Sequence, residues 1–166
     1  FAAEGRPDMG VRVRAVRPRD NGRQTGGDGG MTMNNPTGEQ LRQLKESGKQ
    51  GPFVMVNLLN FRARGREDDE TGRQSYERYA QAVGPLLKKV GARLLWMADV
   101  DQVFIGRQGD SFDRVMLVEY PSRAAFLEMV SSPEYLRANQ DRESGLERTV
   151  LLAADPLFSR MDKPEG

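Results

Sequence analysis

The sequence predicts an α+β domain built on one antiparallel sheet, with its helices gathered on one face. Three observations predict it. β-rich apolar runs of strand length alternate with longer stretches whose apolar residues recur at helical spacing. The helical stretches open on Thr or Ser and close on glycine or a polar turn. The strand-like runs carry apolar residues at both odd and even positions, whereas a sheet with one wet face alternates apolar with polar.

The elements follow in order. Thr37-Gly38-Glu39-Gln40 is a capping-box pattern that opens a short helix, with Leu41 and Leu44 on one side and Gly48 as its stop. Phe53-Val54-Met55-Val56-Asn57-Leu58-Leu59-Asn60-Phe61 reads as a strand. The charged, glycine-punctuated stretch from Arg62 to Gly72 reads as a surface loop. A second capping box, Thr71 to Gln74, starts a long helix carrying Tyr76, Tyr79, Ala80, Val83, Leu87 and Val90 at helical spacing. Pro85 lies inside it and cannot donate to the carbonyl of Gln81, so a kink is expected there. Gly91 ends it. Ala92 to Ala98 and Val100 to Gly106 are two strand-like runs on either side of Asp99, with Gly109-Asp110 as a turn. Arg114 to Tyr120 is a further strand, after which Ser122 caps a helix through Val130. Ser132 caps another helix, with Pro133 at the tolerated first position and Gly145 at its end. Arg148 to Ala154 is the last strand, stopped by Asp155-Pro156. The order is helix, then β-α-β-β-α-β, with an extra strand-like piece in the middle. That is the split βαβ, ferredoxin-like plan.

Composition narrows the chemistry. The chain has 166 residues, 25 basic and 24 acidic, with neither cysteine nor histidine. Disulfides, thiolate-held zinc or iron–sulfur clusters and a cysteine nucleophile are excluded. So are Ser–His–Asp and Cys–His mechanisms and a proximal-histidine haem. No metal site and no cofactor is expected. A net charge of +1 gives no electrostatic footprint for nucleic acid, and no apolar segment reaches membrane length. Residues 1–33 alternate Arg with Gly and Pro and contain no apolar run that would serve as a secretion signal. They are expected to be a disordered or non-native segment, and the location cytoplasmic. Residues 34–161 are expected to form a single domain and 162–166 a tail.

The two-faced strands carry a prediction about assembly. Met55 and Leu59 oppose Val56 and Leu58; Val115 and Leu117 oppose Met116 and Val118; Val150 and Leu152 oppose Leu151 and Ala153. Helices cover one face only, and the other would leave an apolar patch larger than monomers tolerate. A homodimer packed through that sheet face is the expected solution; the alternative is coverage by the amino-terminal helix or the tail.

Gly51-Pro52-Phe53 leading into Val56-Asn57-Leu58-Leu59-Asn60-Phe61, the Tyr76-Glu77-Arg78-Tyr79 helix, and Gly91-Ala92-Arg93-Leu94-Leu95-Trp96 share a pattern with a known family. So do Tyr120-Pro121-Ser122-Arg123-Ala124-Ala125-Phe126, Pro133-Glu134-Tyr135 and Arg142. Together they resemble the domain of unknown function 1330 family within the dimeric α+β barrel superfamily. The resemblance spans nearly all of Gly51 to Pro156 and implies a ferredoxin-like subunit that dimerises face to face, with no established activity. Relatives often carry histidine near Asn139 to Arg142, where this chain has Gln140-Asp141, so histidine-dependent chemistry does not transfer.

Candidate ligand-binding residues are Asn57, Tyr76, Tyr79, Trp96, Glu119 and Arg142. A polar amide in an apolar strand (Asn57) must find hydrogen bonds, from a ligand or from nearby backbone. Tyr76 and Tyr79 share a helix face and can aim hydroxyls at one cavity, or serve as a core stripe. Trp96 can wall an aromatic pocket or pack as core. Glu119 and Arg142 would bind and ionise a small acid if they met. Asp99, Asp101, Asp110 and Asp113 match no cation-binding loop and read as turn residues. The function expected is binding of a small organic molecule, aromatic or enol-like, in an apolar cavity between sheet and helices. The alternatives are a cofactor-independent oxygenase or isomerase acting on such a molecule, and a structural or interaction subunit without a ligand site; catalytic residues remain unassigned.

Overall fold

The computed structural model describes residues 34–161, so the expectations for residues 1–33 and 162–166 lie outside the described residues. The elements are α1 (Gly38–Lys45), β1 (Phe53–Phe61), α2 (Gly72–Lys89), β2 (Arg93–Asp99), a 3-10 turn (Gln108–Asp110), β3 (Arg114–Tyr120), α3 (Arg123–Val130), α4 (Pro133–Gly145) and β4 (Leu146–Ala154). Both capping boxes form: Gln40 and Gln74 donate their backbone N–H to the Thr37 and Thr71 hydroxyls, and their side chains accept from the threonine N–H groups. Ser122 and Ser132 accept from the backbone N–H of Ala125 and Tyr135. α2 runs on through Pro85 as one helix.

All strand pairs are antiparallel, in the order β2-β3-β1-β4. The helical connections from β1 to β2 and from β3 to β4, with β1 and β3 at the centre, are the ferredoxin-like arrangement. One sequence expectation fails. Val100 to Gly106 is not a strand: β2 pairing ends where Asp99 meets Arg114, and after one more bond, from the Val100 N–H to the Asp113 carbonyl, the chain leaves the sheet. The segment is instead an exposed loop with Phe104 86% and Ile105 89% exposed. The last strand also begins two residues earlier than its apolar run suggests, because α4 passes into β4 directly at Gly145–Leu146.

Register assigns every strand residue to a face. Phe53, Met55, Asn57 and Leu59 of β1 stand beside Tyr120, Val118, Met116 and Arg114 of β3. This face carries the core, in which Phe53, Met55, Leu59, Val118 and Tyr120 pack with Tyr76, Tyr79 and Val83 of α2, Phe126 and Met129 of α3, and Ala138 of α4. Phe53, Tyr120 and Phe126 form a mutual aromatic triangle with centroids 5.0–6.2 Å apart. Arg123, at the first turn of α3, lies over the Phe53 ring and donates Nη2 to Asp155. The opposite face carries Val54, Val56, Leu58, Val115, Leu117, Val150, Leu152 and Trp96, none of which belongs to the core cluster.

The helix layer is clamped at one end. Gly72 at the start of α2 and Gly145 at the end of α4 meet backbone to backbone: a Cβ on Gly145 would lie 2.5 Å from the Gly72 carbonyl oxygen and 2.8 Å from the Tyr76 nitrogen. The Arg62 N–H donates to the Gly145 carbonyl, and Gly72 N–H donates to the Arg62 carbonyl. Nearby, Arg78 of α2 binds Asp141 of α4 and Glu70 of the preceding loop, while the Ser75 hydroxyl donates to the Asp141 carbonyl. Arg78 holds the Asp141 carboxyl below the usual carboxylate range.

Candidate functional site

The core face is not evenly packed. Three successive rows cross the sheet under the helices, and on the two central strands the outer rows are well covered at Met55, Val118 and Leu59. The middle row runs Met97, Met116, Asn57, Leu151 from β2 to β4. Here Asn57 and Met116 are only partly buried, although they occupy the centre of the sheet, and Met97 and Leu151 at the edges are exposed. The one polar residue in the β1 core face thus lies where the helix layer leaves the sheet least covered. The Asn57 amide donates to its own strand, to the Met55 carbonyl at 3.0 Å; among the described residues nothing donates to its carbonyl oxygen.

Above this face the inner stripes of α2 and α4 meet. On α2 the stripe is Gly72, Ser75–Tyr76, Tyr79 and Val83; on α4 it is Tyr135, Ala138, Arg142 and Gly145. The tyrosines touch in sequence: Tyr76 to Tyr79 at 5.3 Å, Tyr79 to Tyr135 at 6.2 Å, with Phe61 of β1 against Tyr76 at 5.5 Å. Among the described residues the hydroxyls of Tyr76 and Tyr120 have no hydrogen-bond partner. Burial pushes Tyr76 up to about 12 and raises Tyr79 and Tyr120 as well, with Arg142 opposing the shift in each case. The phenols are therefore neutral donors at physiological pH.

Two cations act on Tyr76: Arg142 and Arg114. They differ in one respect. Arg114 is bonded to Asp99 at 2.7 Å, and Asp99 also takes Arg73 at 3.0 Å. Arg142 is 6% exposed and donates Nη1 to the Asn34 carbonyl at 2.6 Å, but among the described residues it has no carboxylate partner. The side chains about the tyrosines therefore set up a positive potential with no negative group to balance it at Arg142.

The structure divides the six sequence candidates. Asn57, Tyr76, Tyr79 and Arg142 share the helix side of the sheet. Trp96 and Glu119 belong to the opposite face. Glu119 accepts from Arg93 Nε at 2.9 Å and does not meet Arg142. Trp96 is carried there by the bulge between Leu94 and Trp96, which sets it opposite Leu117 in place of Met116; without the bulge its side chain would have stood on the helix side. Trp96 therefore does not wall the space above Asn57. Residues passed over in the sequence are Met116, Tyr120 and Tyr135. Tyr135 sits seven positions before Arg142, the spacing that returns a helix to the same side, and Tyr120 shares parity with Val118. The Asp residues near the turns serve as expected of turn residues: Asp113 accepts the Phe61 N–H at 2.7 Å. Among the described residues no cluster of carboxylates could hold a metal ion, and no helix is long and apolar enough to cross a membrane.

Comparison with known proteins agrees with this architecture. A protein of unknown function from Rhodopseudomonas palustris is similar at 34% identity and a TM-score of 0.71, over 75% of this chain and 97% of that one. Its methylated form is similar at 32% identity and the same TM-score, over 76% and 96%. A dimeric protein of unknown function and ferredoxin-like fold from Bacteroides fragilis is 13% identical with a TM-score of 0.43, over 64% and 97%. No functionally curated protein matches the chain. The model of a family described as a domain of unknown function, DUF1330, matches residues 68–155, which is more than half of the chain and spans α2 through β4, so the chain belongs to the DUF1330 family.

Proposed function

We propose that the protein binds a small organic molecule, aromatic or enol-like, between the sheet and the helix layer, with Met116 and Leu151 as apolar floor and Asn57, Tyr76, Tyr79 and Arg142 as polar anchors. The observation that carries this reading is the middle row: two central-strand residues, one of them an amide, stay partly uncovered while Met55, Val118 and Leu59 in the flanking rows are buried. Ligand sites of this kind are mostly apolar, with a few convergent polar groups. The open sheet face is closed by a second copy in this reading, because Trp96 at 48% and Leu152 at 50% exposure sit among Val56, Leu58, Val115 and Leu117, and such a face is costly to leave in water.

A panel of phenol, benzoate and acetoacetate tests the binding reading by thermal shift. At least one probe is expected to raise Tm at millimolar concentration, and Asn57→Phe, which fills the middle row, should remove that shift while leaving the fold intact by circular dichroism. No shift from any probe overturns the reading in favour of a structural subunit. The neutral phenols favour one catalytic variant, since donors that stay protonated can stabilise an enolate formed on a bound molecule. A cofactor-independent oxygenase would consume oxygen, and an isomerase would exchange substrate protons with solvent.

A further inference from the structure

We propose that the ligand of this site carries a carboxylate, received by the Nε–Nη2 edge of Arg142. The inference rests on the reading of the Asn57 row as a ligand site and names the chemical class that site takes. Arg142 is buried to all but 6% of its surface and stands in the last turn of α4, on the stripe of Tyr135, Ala138 and Gly145 that faces α2. Its guanidinium offers five N–H donors. One nitrogen, Nη1, is taken by the Asn34 carbonyl; among the described residues Nε and Nη2 meet no acceptor, and no carboxylate neutralises the charge.

A buried cation without a counter-ion is expensive; carboxylates partner Arg114 (Asp99), Arg123 (Asp155) and Arg78 (Asp141 with Glu70), whereas part-buried Arg148 is held by the Asn60 amide oxygen and the Gly109 and Ser111 carbonyls. Helix α4 ends beside Arg142, and the partial negative charge of its C-terminus compensates the cation in part. It leaves the Nε–Nη2 fork unused. That fork matches the two oxygens of a carboxylate in geometry and in charge. Ala138, one turn back on the same stripe, adds only a methyl beside it. The neighbouring phenols complete the selection: neutral at physiological pH, they do not repel an anion, and the Tyr76 hydroxyl can donate a hydrogen bond to it. A small monocarboxylate with an apolar or aromatic body satisfies the guanidinium at one end and the Met116–Leu151 floor at the other.

Benzoate and its neutral isostere benzamide distinguish the possibilities by isothermal titration. Wild type is expected to bind benzoate about tenfold or more tightly than benzamide, the advantage of a charge-assisted bidentate pair. Arg142→Gln should bring the two affinities together, and Arg142→Lys should keep only part of the preference, because an ammonium cannot present two parallel donors. Equal affinities in wild type, or a benzoate preference unchanged in Arg142→Lys, overturns the carboxylate assignment while leaving the cavity reading standing. Binding of neither probe overturns the cavity reading and the assignment together. If Arg142→Gln does not fold, the wild-type ratio and Arg142→Lys decide the matter.

Discussion

Leu58 and Leu59 are neighbours in β1 with the same side chain, yet one packs beneath the helices at 0% exposure and the other faces away with Val56 and Leu117. The same contrast runs the length of the sheet. The helix side has aromatic rings in mutual contact, capped helices above it and an amide, Asn57, where cover is thin. The far side is aliphatic with a tryptophan at its edge and an Arg93–Glu119 pair near one end. A covered face supports a fold by itself; a bare face of equal greasiness is the reason a second copy is proposed to cover it. What separates the two is what has been placed on top, which periodicity within a strand does not record.

The largest expected effect breaks the covered face. Leu59→Ala should destabilise the chain by about 3–4 kcal/mol, and Leu58→Ala by about 1–2 kcal/mol in dilute solution where no second copy is bound. Denaturant unfolding measures both, and equal losses would mean that the two faces are equally closed within a single chain. Next comes the bare face. Leu152→Glu, on the outer strand and half-exposed in one copy, should leave circular dichroism unchanged and shift light scattering from dimer to monomer at micromolar concentration. A wild type that is already monomeric there removes the second copy from the account.

The smallest effect is a dependence on pH that belongs to the covered face alone. Burial raises Tyr76, Tyr79 and Tyr120, so the folded chain holds these protons more tightly than the unfolded one. Their contribution to stability is complete below about pH 10 and is lost as pH rises above it. Chemical denaturation at rising pH should therefore show a falling midpoint in the alkaline range, and tyrosinate absorbance should appear together with unfolding. Tyrosinate formation in a chain that stays folded would place these hydroxyls in water.

Much of this architecture is legible in the sequence because its signals are local. The Thr37 and Thr71 capping boxes, the serine caps at Ser122 and Ser132 and the stops at Gly91 and Gly145 each act within a turn or two. Tyr76 and Tyr79 are readable for the same reason, as one stripe of one helix. The site is less legible because it depends on which side of a sheet a residue takes. In a strand apolar on both sides, parity identifies partners without identifying the core. Asn57 and Trp96 look like candidates for one pocket until the bulge at Leu95 turns the tryptophan over. Glu119 and Arg142 are likewise separated by the thickness of the sheet. The Val100–Gly106 run misleads for a different reason: its residues suit a strand, but the chain leaves the sheet just past the Val100–Asp113 bond. Tyr135 and Met116 gain meaning only from what packs across from them.

The backbone meeting of Gly72 and Gly145 has a mechanical consequence. With no side chain between them, the two helices are riveted where α2 begins and α4 finishes, and neither can slide along the other. Were a guest to bind beneath them as proposed, the helices would part least at that rivet and most at the distant tips. There a shallow groove already runs among Leu86, Val90 and Met129.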